Sequence, residues 1–293
     1  MVLNSRNAFT SGSNLMGQPA AITIDLQSFN NMTPEDASAY AAHLGDHLTQ
    51  LRENDISVIW VGITDEDRLI VPEDANVTGQ SQTFEELAAK GFCVHSLDED
   101  TAEIYTTFIE RHGPRTDEVI SLKSHASALL EDGDDLTVDP AHDSQGQLSI
   151  AGQDVTLMQY LRDEGISRPM VFGGASSFCV AQTAKTGVMK NLDVTLDPNL
   201  MLSWDKFDRS EQNQPDSLFV WREGHDPQSA EEFHKRHIAQ AFDEIEAHPA
   251  DNFTTTDRDK ITFSNTSGYI QSFTAQDPDV VAATTPTSVL KNV

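Results

Sequence analysis

Cysteine and positive charge are scarce in this chain, and long apolar runs are missing. The two cysteines among 293 residues, Cys93 and Cys179, exclude a disulfide framework. A reducing compartment is expected from them, and with it a cytoplasmic setting. Only 19 Lys and Arg stand against 47 Asp and Glu, a formal net charge of −28. Nucleic acid and anionic membranes both need a basic face, so neither is expected as a partner. The charge fits a salt-adapted host and a strongly solvated surface equally well. No stretch approaches the ~20 apolar residues that would cross a bilayer. Met1 to Pro19 has no basic region followed by an apolar core, so no secretory leader is expected.

What the chain does contain is an alternation of short apolar runs and helical periods. Residues 1–19, rich in Ser, Asn and Gly, read as an irregular arm. Ala20-Ala21-Ile22-Thr23-Ile24 reads as a buried strand ending at Asp25. Thr33-Pro34-Glu35-Asp36 has the make-up of a helix start, and Tyr40, Leu44, Leu48 and Leu51 follow at helical spacing. Ile56 to Val61 gives a second strand, which completes a strand–helix–strand unit of the kind that builds parallel sheets. Residues 64–82 lack a period and read as a loop. Helices are expected over 84–90, 100–111, 156–164 and 229–247, and strands over 118–122, 169–173 and 193–197. The fold class is therefore α/β, a three-layer α/β/α arrangement around a mainly parallel sheet. The domain is expected to span 20–248, with an acidic insertion at 131–154 and a hairpin near Gly146. Residues 249–293, rich in Thr, Ser and Asp and aperiodic, fit a disordered tail or an arm reaching a neighbouring subunit.

Three residues stand out by position. Asp25, Lys123 and Cys179 each lie at or just past the end of an expected strand, and in a parallel sheet those ends share one edge. Cys179 follows Val171-Phe172-Gly173-Gly174-Ala175-Ser176-Ser177-Phe178 and opens a helix. That strand, glycine turn and helix is how an α/β fold raises a nucleophile above its sheet. The helix dipole there favours thiolate. A carboxylate can take the thiol proton, and an ammonium favours both anions. Taken alone, a cysteine in an apolar run is more often packing, which is also the reading given to Cys93. His125 reads as a surface or helix-start residue, while Asp197 and Trp204 follow a strand and border the same edge. The acidic run Glu131 to Asp135 lacks the spacing of a calcium loop and reads as solvated.

These motifs resemble the isochorismatase-like cysteine hydrolases, which include nicotinamidases and N-carbamoylsarcosine amidases. The resemblance rests on Ile24-Asp25-Leu26-Gln27, on Lys123 after its short strand, and on Gly173 to Val180 with Thr183, Ala184 and Gly187. It covers residues 20–247. It implies Asp25 as general base, Lys123 as catalytic lysine and Cys179 as nucleophile. It further implies a cis peptide at Gly174–Ala175 and an oxyanion hole made by the N–H groups of Ala175 and Cys179. Gln27, Phe29, Gly174 and Ser176 are expected at the substrate, a small amide or ureido compound. No cofactor is expected, and a homo-oligomer is, since the family is often oligomeric.

The chain also departs from the family. Phe29 stands four residues past Asp25 where many members carry an aromatic five past, and Ser127-Ala128-Leu129 replaces a Ser-Ala-Phe. Between Trp60 and Thr101 the sole histidine is His95, too few for the Asp-x-His pair and further His of metal-holding nicotinamidases, so no catalytic metal is expected. Two other functions remain open at this point. One is an acid-catalysed hydrolase or lyase built on Asp25 with Cys179 as bystander, and the other is a binding protein that retains the fold.

Overall fold

The computed structural model describes residues 17–29, 32–63, 68–72, 79–92, 97–131, 155–202, 227–246 and 253–274. Strand β1 (Gln18–Ile24) leads through helix α1 (Pro34–Glu53) to β2 (Ser57–Ile63) and the short β3 (Arg68–Ile70). Helices α2 (Phe84–Ala89) and α3 (Ala102–His112) precede β4 (Val119–Lys123). Then come α4 (Leu157–Asp163), β5 (Ile166–Gly174), a π-helical turn (Ser176–Val180), α5 (Ala181–Met189) and β6 (Thr195–Leu202). Helix α6 (Pro227–Glu246), the single turn α7 (Thr255–Arg258), β7 (Thr262–Phe263) and α8 (Thr266–Thr274) complete it.

The strands form one sheet in the order β3-β4-β2-β1-β5-β6-β7. Every pairing is parallel except β3 against β4. Because neighbouring residues of a strand point to opposite faces, each central strand feeds two cores. Ile22, Ile24, Ile59, Val61 and Val171 enter one core, with side chains of α4, α5 and α6. Ala21, Val58, Trp60, Met170 and Phe172 enter the other, with α1, α2, α3 and α8. Helices therefore cover both faces, and the three-layer architecture expected from the sequence is the one observed.

Local chemistry sets the helix ends. The Thr33 hydroxyl accepts the Asp36 N–H at 3.2 Å and starts α1, with Pro34 in its first turn. Near its other end the Arg52 guanidinium holds Glu118 and the carbonyls of His112 and Gly113, fastening α1 to α3 and to the entry of β4.

Three sequence expectations need correction. Arg68–Ile70, inside the segment read as loop, pairs antiparallel with β4; three residues are too few to display an alternation. The first strand begins at Gln18, within the residues assigned to the N-terminal arm. The boundary at 248 also fails, because 253–274 belongs to the domain. There β7 extends the sheet beside β6, and Phe253 and Ile261 enter the core that holds Cys179. The Tyr269 hydroxyl donates to the Ala20 carbonyl at 3.1 Å and to the Arg168 carbonyl, and Thr266 donates to Asp197. Residues this short in period and rich in Thr and Ser gave no helical signal, since their order comes from docking onto a finished sheet. The hairpin near Gly146 lies outside the described residues. Among the described residues no helix is long and apolar enough to cross a membrane.

Glu131, first residue of the acidic insertion, accepts from Arg162 of α4 and from Lys190 at 2.8 Å, just past α5. Burial opposes its charge, but these two partners outweigh it and lower its pKa to about 2. Its contribution is therefore complete above the usual carboxylate range and lost as pH falls toward 2. The expected result for Glu131→Gln is a flatter loss of stability between pH 4.5 and 2 than the native chain shows, measured by urea midpoints across that range.

Candidate active site

Asp25 follows the last residue of β1 and takes a left-handed conformation, φ 54°, that turns the chain out of the strand. Aspartate tolerates this region better than most residues. Its N–H still reaches back to the Val61 carbonyl at 2.9 Å, so the carboxylate starts from a fixed point. Lys123 closes β4, on the far side of β2 from β1. Its Nζ donates to Asp25 Oδ2 at 3.0 Å, to the His125 carbonyl at 2.9 Å and to Cys179 Sγ at 3.5 Å. An ammonium has three donors, and these three acceptors match them.

Cys179 reaches the same place from β5. The strand ends at Gly174, the bond to Ala175 is cis, and the π-helical turn begins at Ser176. Within it the Phe178 and Val180 N–H groups both meet the Ala175 carbonyl at 3.1 Å. Such widened turns recur at functional sites. Gly173 allows β5 to come this close to β1. Its φ is 113°, and a Cβ there would sit 2.2 Å from the Ile24 carbonyl oxygen, immediately before Asp25. The residues expected to converge are thus brought together, each 5% exposed or less.

The electrostatics differ from the expectation in one respect. Burial, and then the Asp25 charge, push the Cys179 thiol up to about 12, and the pull of Lys123 does not compensate. The thiol is therefore protonated at rest. The helix-dipole argument fails because the sulfur is enclosed beside a carboxylate, where a second anion is disfavoured. For Lys123 burial works toward lowering, yet Asp25 and Cys179 outweigh it and raise its pKa. A protonated lysine, an ion-paired aspartate and a neutral thiol make up the resting site.

The expected substrate contacts divide. Gly174 and Ala175 line the turn, and Ser176 is fully buried with its hydroxyl unpartnered among the described residues. Phe29 is not on a pocket wall: it lies in the core opposite Cys179, edge-on to Tyr40 and Tyr105 at 5.8 and 5.1 Å. Gln27 turns its carboxamide to the backbone of Ile63. His125 is buried rather than on the surface, and its carbonyl anchors Lys123. The Asp197 carboxylate accepts from the Asn199 N–H and Thr266, as a link between β6 and α8. Cys93, His95 and Trp204 lie outside the described residues.

His234 was not singled out from the sequence. It is buried on α6, the helix that packs over the π-helical turn, and a polar residue one turn before Ile238 on an apolar stripe was its only signal. Among the described residues no group of three or more His, Cys, Asp or Glu side chains is gathered as a metal set.

No protein-family model matches the chain, and a search of curated proteins found no match. Among solved structures it is similar to an isochorismatase-like hydrolase from Alkaliphilus metalliredigens, at 15% identity, covering 87% of this chain and 99% of that one, TM-score 0.44. It is also similar to N-carbamoylsarcosine amidase from Thermoplasma acidophilum, at 15% identity over 85% and 96% of the two chains, TM-score 0.40. A cysteine hydrolase from Pseudomonas syringae pv. phaseolicola is similar at 14% identity over 88% and 93%, TM-score 0.41.

Proposed function

We propose that the protein is a cysteine hydrolase that cleaves a C–N bond of a small amide or ureido compound. One observation carries this reading: Lys123 Nζ bridges Asp25 Oδ2 at 3.0 Å and Cys179 Sγ at 3.5 Å at one edge of the sheet. A buried ion pair adds little net stability, so its placement against a thiol favours chemistry over structure.

Because the thiol is neutral at rest, its proton leaves as attack proceeds. Sγ bonds to the carbonyl carbon, the S–H proton passes to Asp25, and the carbonyl electron pair moves onto oxygen. The N–H groups of Ala175 and Cys179 are the proposed donors to that oxyanion, with the Ser176 hydroxyl beside them. Collapse breaks the C–N bond, and the departing nitrogen takes the proton from Asp25. Water then attacks the thioester, gives a proton to Asp25, and the C–S bond breaks as Cys179 recovers its proton. Lys123 stays protonated throughout and offsets the negative charge as it moves among Asp25, sulfur and oxygen.

The test uses a Cys93→Ser background, a panel of small amides and ureido compounds, and acid quenching during turnover. An acyl mass on the peptide carrying Cys179 is the expected result, with turnover abolished by iodoacetamide. Hydrolysis that survives full alkylation of Cys179 would remove the nucleophile from the mechanism and leave the chemistry with Asp25.

A further inference from the structure

We infer that Gln27 is a positioning residue that holds the Asp25 carboxylate against Lys123 and Cys179 by clamping its carboxamide on Ile63 through a gap kept open by Gly62. The inference rests on the hydrolase reading above.

The parallel ladder between β1 and β2 ends at Ile24 opposite Val61, where Asp25 leaves the strand. Two residues on, the Gln27 side chain takes up the pattern. Its Oε1 accepts the Ile63 N–H at 2.6 Å and its Nε2 donates to the Ile63 carbonyl at 3.2 Å, as a neighbouring strand's peptide would. Between them the Tyr105 hydroxyl holds the Leu26 carbonyl at 3.1 Å. Segment 25–27 is thus fixed at every residue.

Ile63 is also the residue that faces Lys123 across the β2–β4 pairing. The aspartate and the lysine are therefore both referred to one point on β2, although 98 positions separate them. Space for the clamp comes from Gly62: a Cβ there would lie 2.7 Å from Gln27 Nε2 and 2.8 Å from its Cδ. A glycine in the interior of an apolar strand marks such a close approach of another group. Gln27, 5% exposed and committed to Ile63 through both ends of its amide, sets geometry where the sequence suggested it would touch substrate.

The experiment measures Cys179 alkylation by iodoacetamide against pH in the Cys93→Ser background, for Gln27→Leu, Gln27→Asn and Asp25→Asn. Asp25 helps to hold the proton on the thiol, so Asp25→Asn moves the alkylation midpoint to lower pH. Gln27→Leu, which loses both bonds, and Gln27→Asn, which withdraws the amide by one methylene, move it part of the way in the same direction. For any amide the enzyme turns over, kcat falls by roughly 100-fold with KM little changed, the effect of a misplacement of about 1 Å. If both Gln27 variants lower the melting temperature but keep the native midpoint and kcat, Gln27 is only structural and the inference is overturned. If Asp25→Asn too leaves the midpoint unmoved, the reading of the site itself falls with it.

Discussion

Cys179→Ala, if the proposed nucleophile is the right one, is expected to lower turnover by roughly 10⁴- to 10⁶-fold, as deletion of a nucleophile does elsewhere, and to leave the fold in place. Cys179 is 4% exposed in a core formed with α5 and α6, and shortening its side chain to a methyl leaves a small void. That void costs about 1 kcal/mol, well short of unfolding a domain of this size. The variant also carries a pH signature. The folded state holds the thiol proton up to about 12, against 9.0 for an ordinary thiol. Stability from this source is complete below 9 and is lost as pH rises toward 12. Cys179→Ala should lack that alkaline slope, lying about 1 kcal/mol below the native chain near neutrality and converging on it as pH rises. Urea midpoints from pH 7 to 11, alongside turnover, check both parts. Measurable residual turnover within tenfold of native would make Cys179 a bystander.

The second large effect falls on the ion pair. Asp25→Asn or Lys123→Met leaves one buried charge without its partner, each side chain being 3% exposed in the native protein. Such a loss costs about 3–5 kcal/mol. The double variant Asp25→Asn/Lys123→Met removes both charges and should regain most of that stability, because a buried pair and its apolar replacement are often similar in energy. On the proposed mechanism turnover, in contrast, is expected to stay absent in all three, since each variant lacks the proton acceptor, the balancing ammonium or both. A double-mutant cycle on denaturation midpoints, with activity measured in parallel, separates the structural contribution from the chemical one. A double variant no more stable than either single one would show that the two charges do not act as a unit.

Most of the architecture was legible because the signals were strong and local. β1, β2 and β5 each hold a short apolar run, and α1 opens on Thr33-Pro34 with a stripe from Tyr40 to Leu51 that is buried along its length. One rule, that parallel strands end at a common edge, points to Asp25, Lys123 and Cys179, and Lys123 Nζ indeed meets both Asp25 and Cys179. The misses have physical causes. Whether a thiol beside a carboxylate is charged depends on how tightly both are enclosed, and no spacing along a chain reports enclosure. The resemblance puts Gln27 at the substrate; that its amide turns to Ile63 instead follows from the missing side chain at Gly62 on the next strand. Phe29, likewise near Asp25, belongs to the aromatic packing between α1 and α3. The segment from Phe253 to Thr274 gave no signal since its order is conferred by β6 and β1.

That last segment bears on the timing of biosynthesis. The Tyr269 hydroxyl closes on the carbonyl of Ala20, a residue that left the ribosome 249 positions earlier. At about 5–20 residues per second the interval is roughly 12–50 s. Throughout it the central strand of the nascent sheet lacks this fastening, and β6 lacks β7, its partner on the outer side. The described sheet and the helices that cover it therefore cannot be finished from the N-terminus forward; they wait for α8.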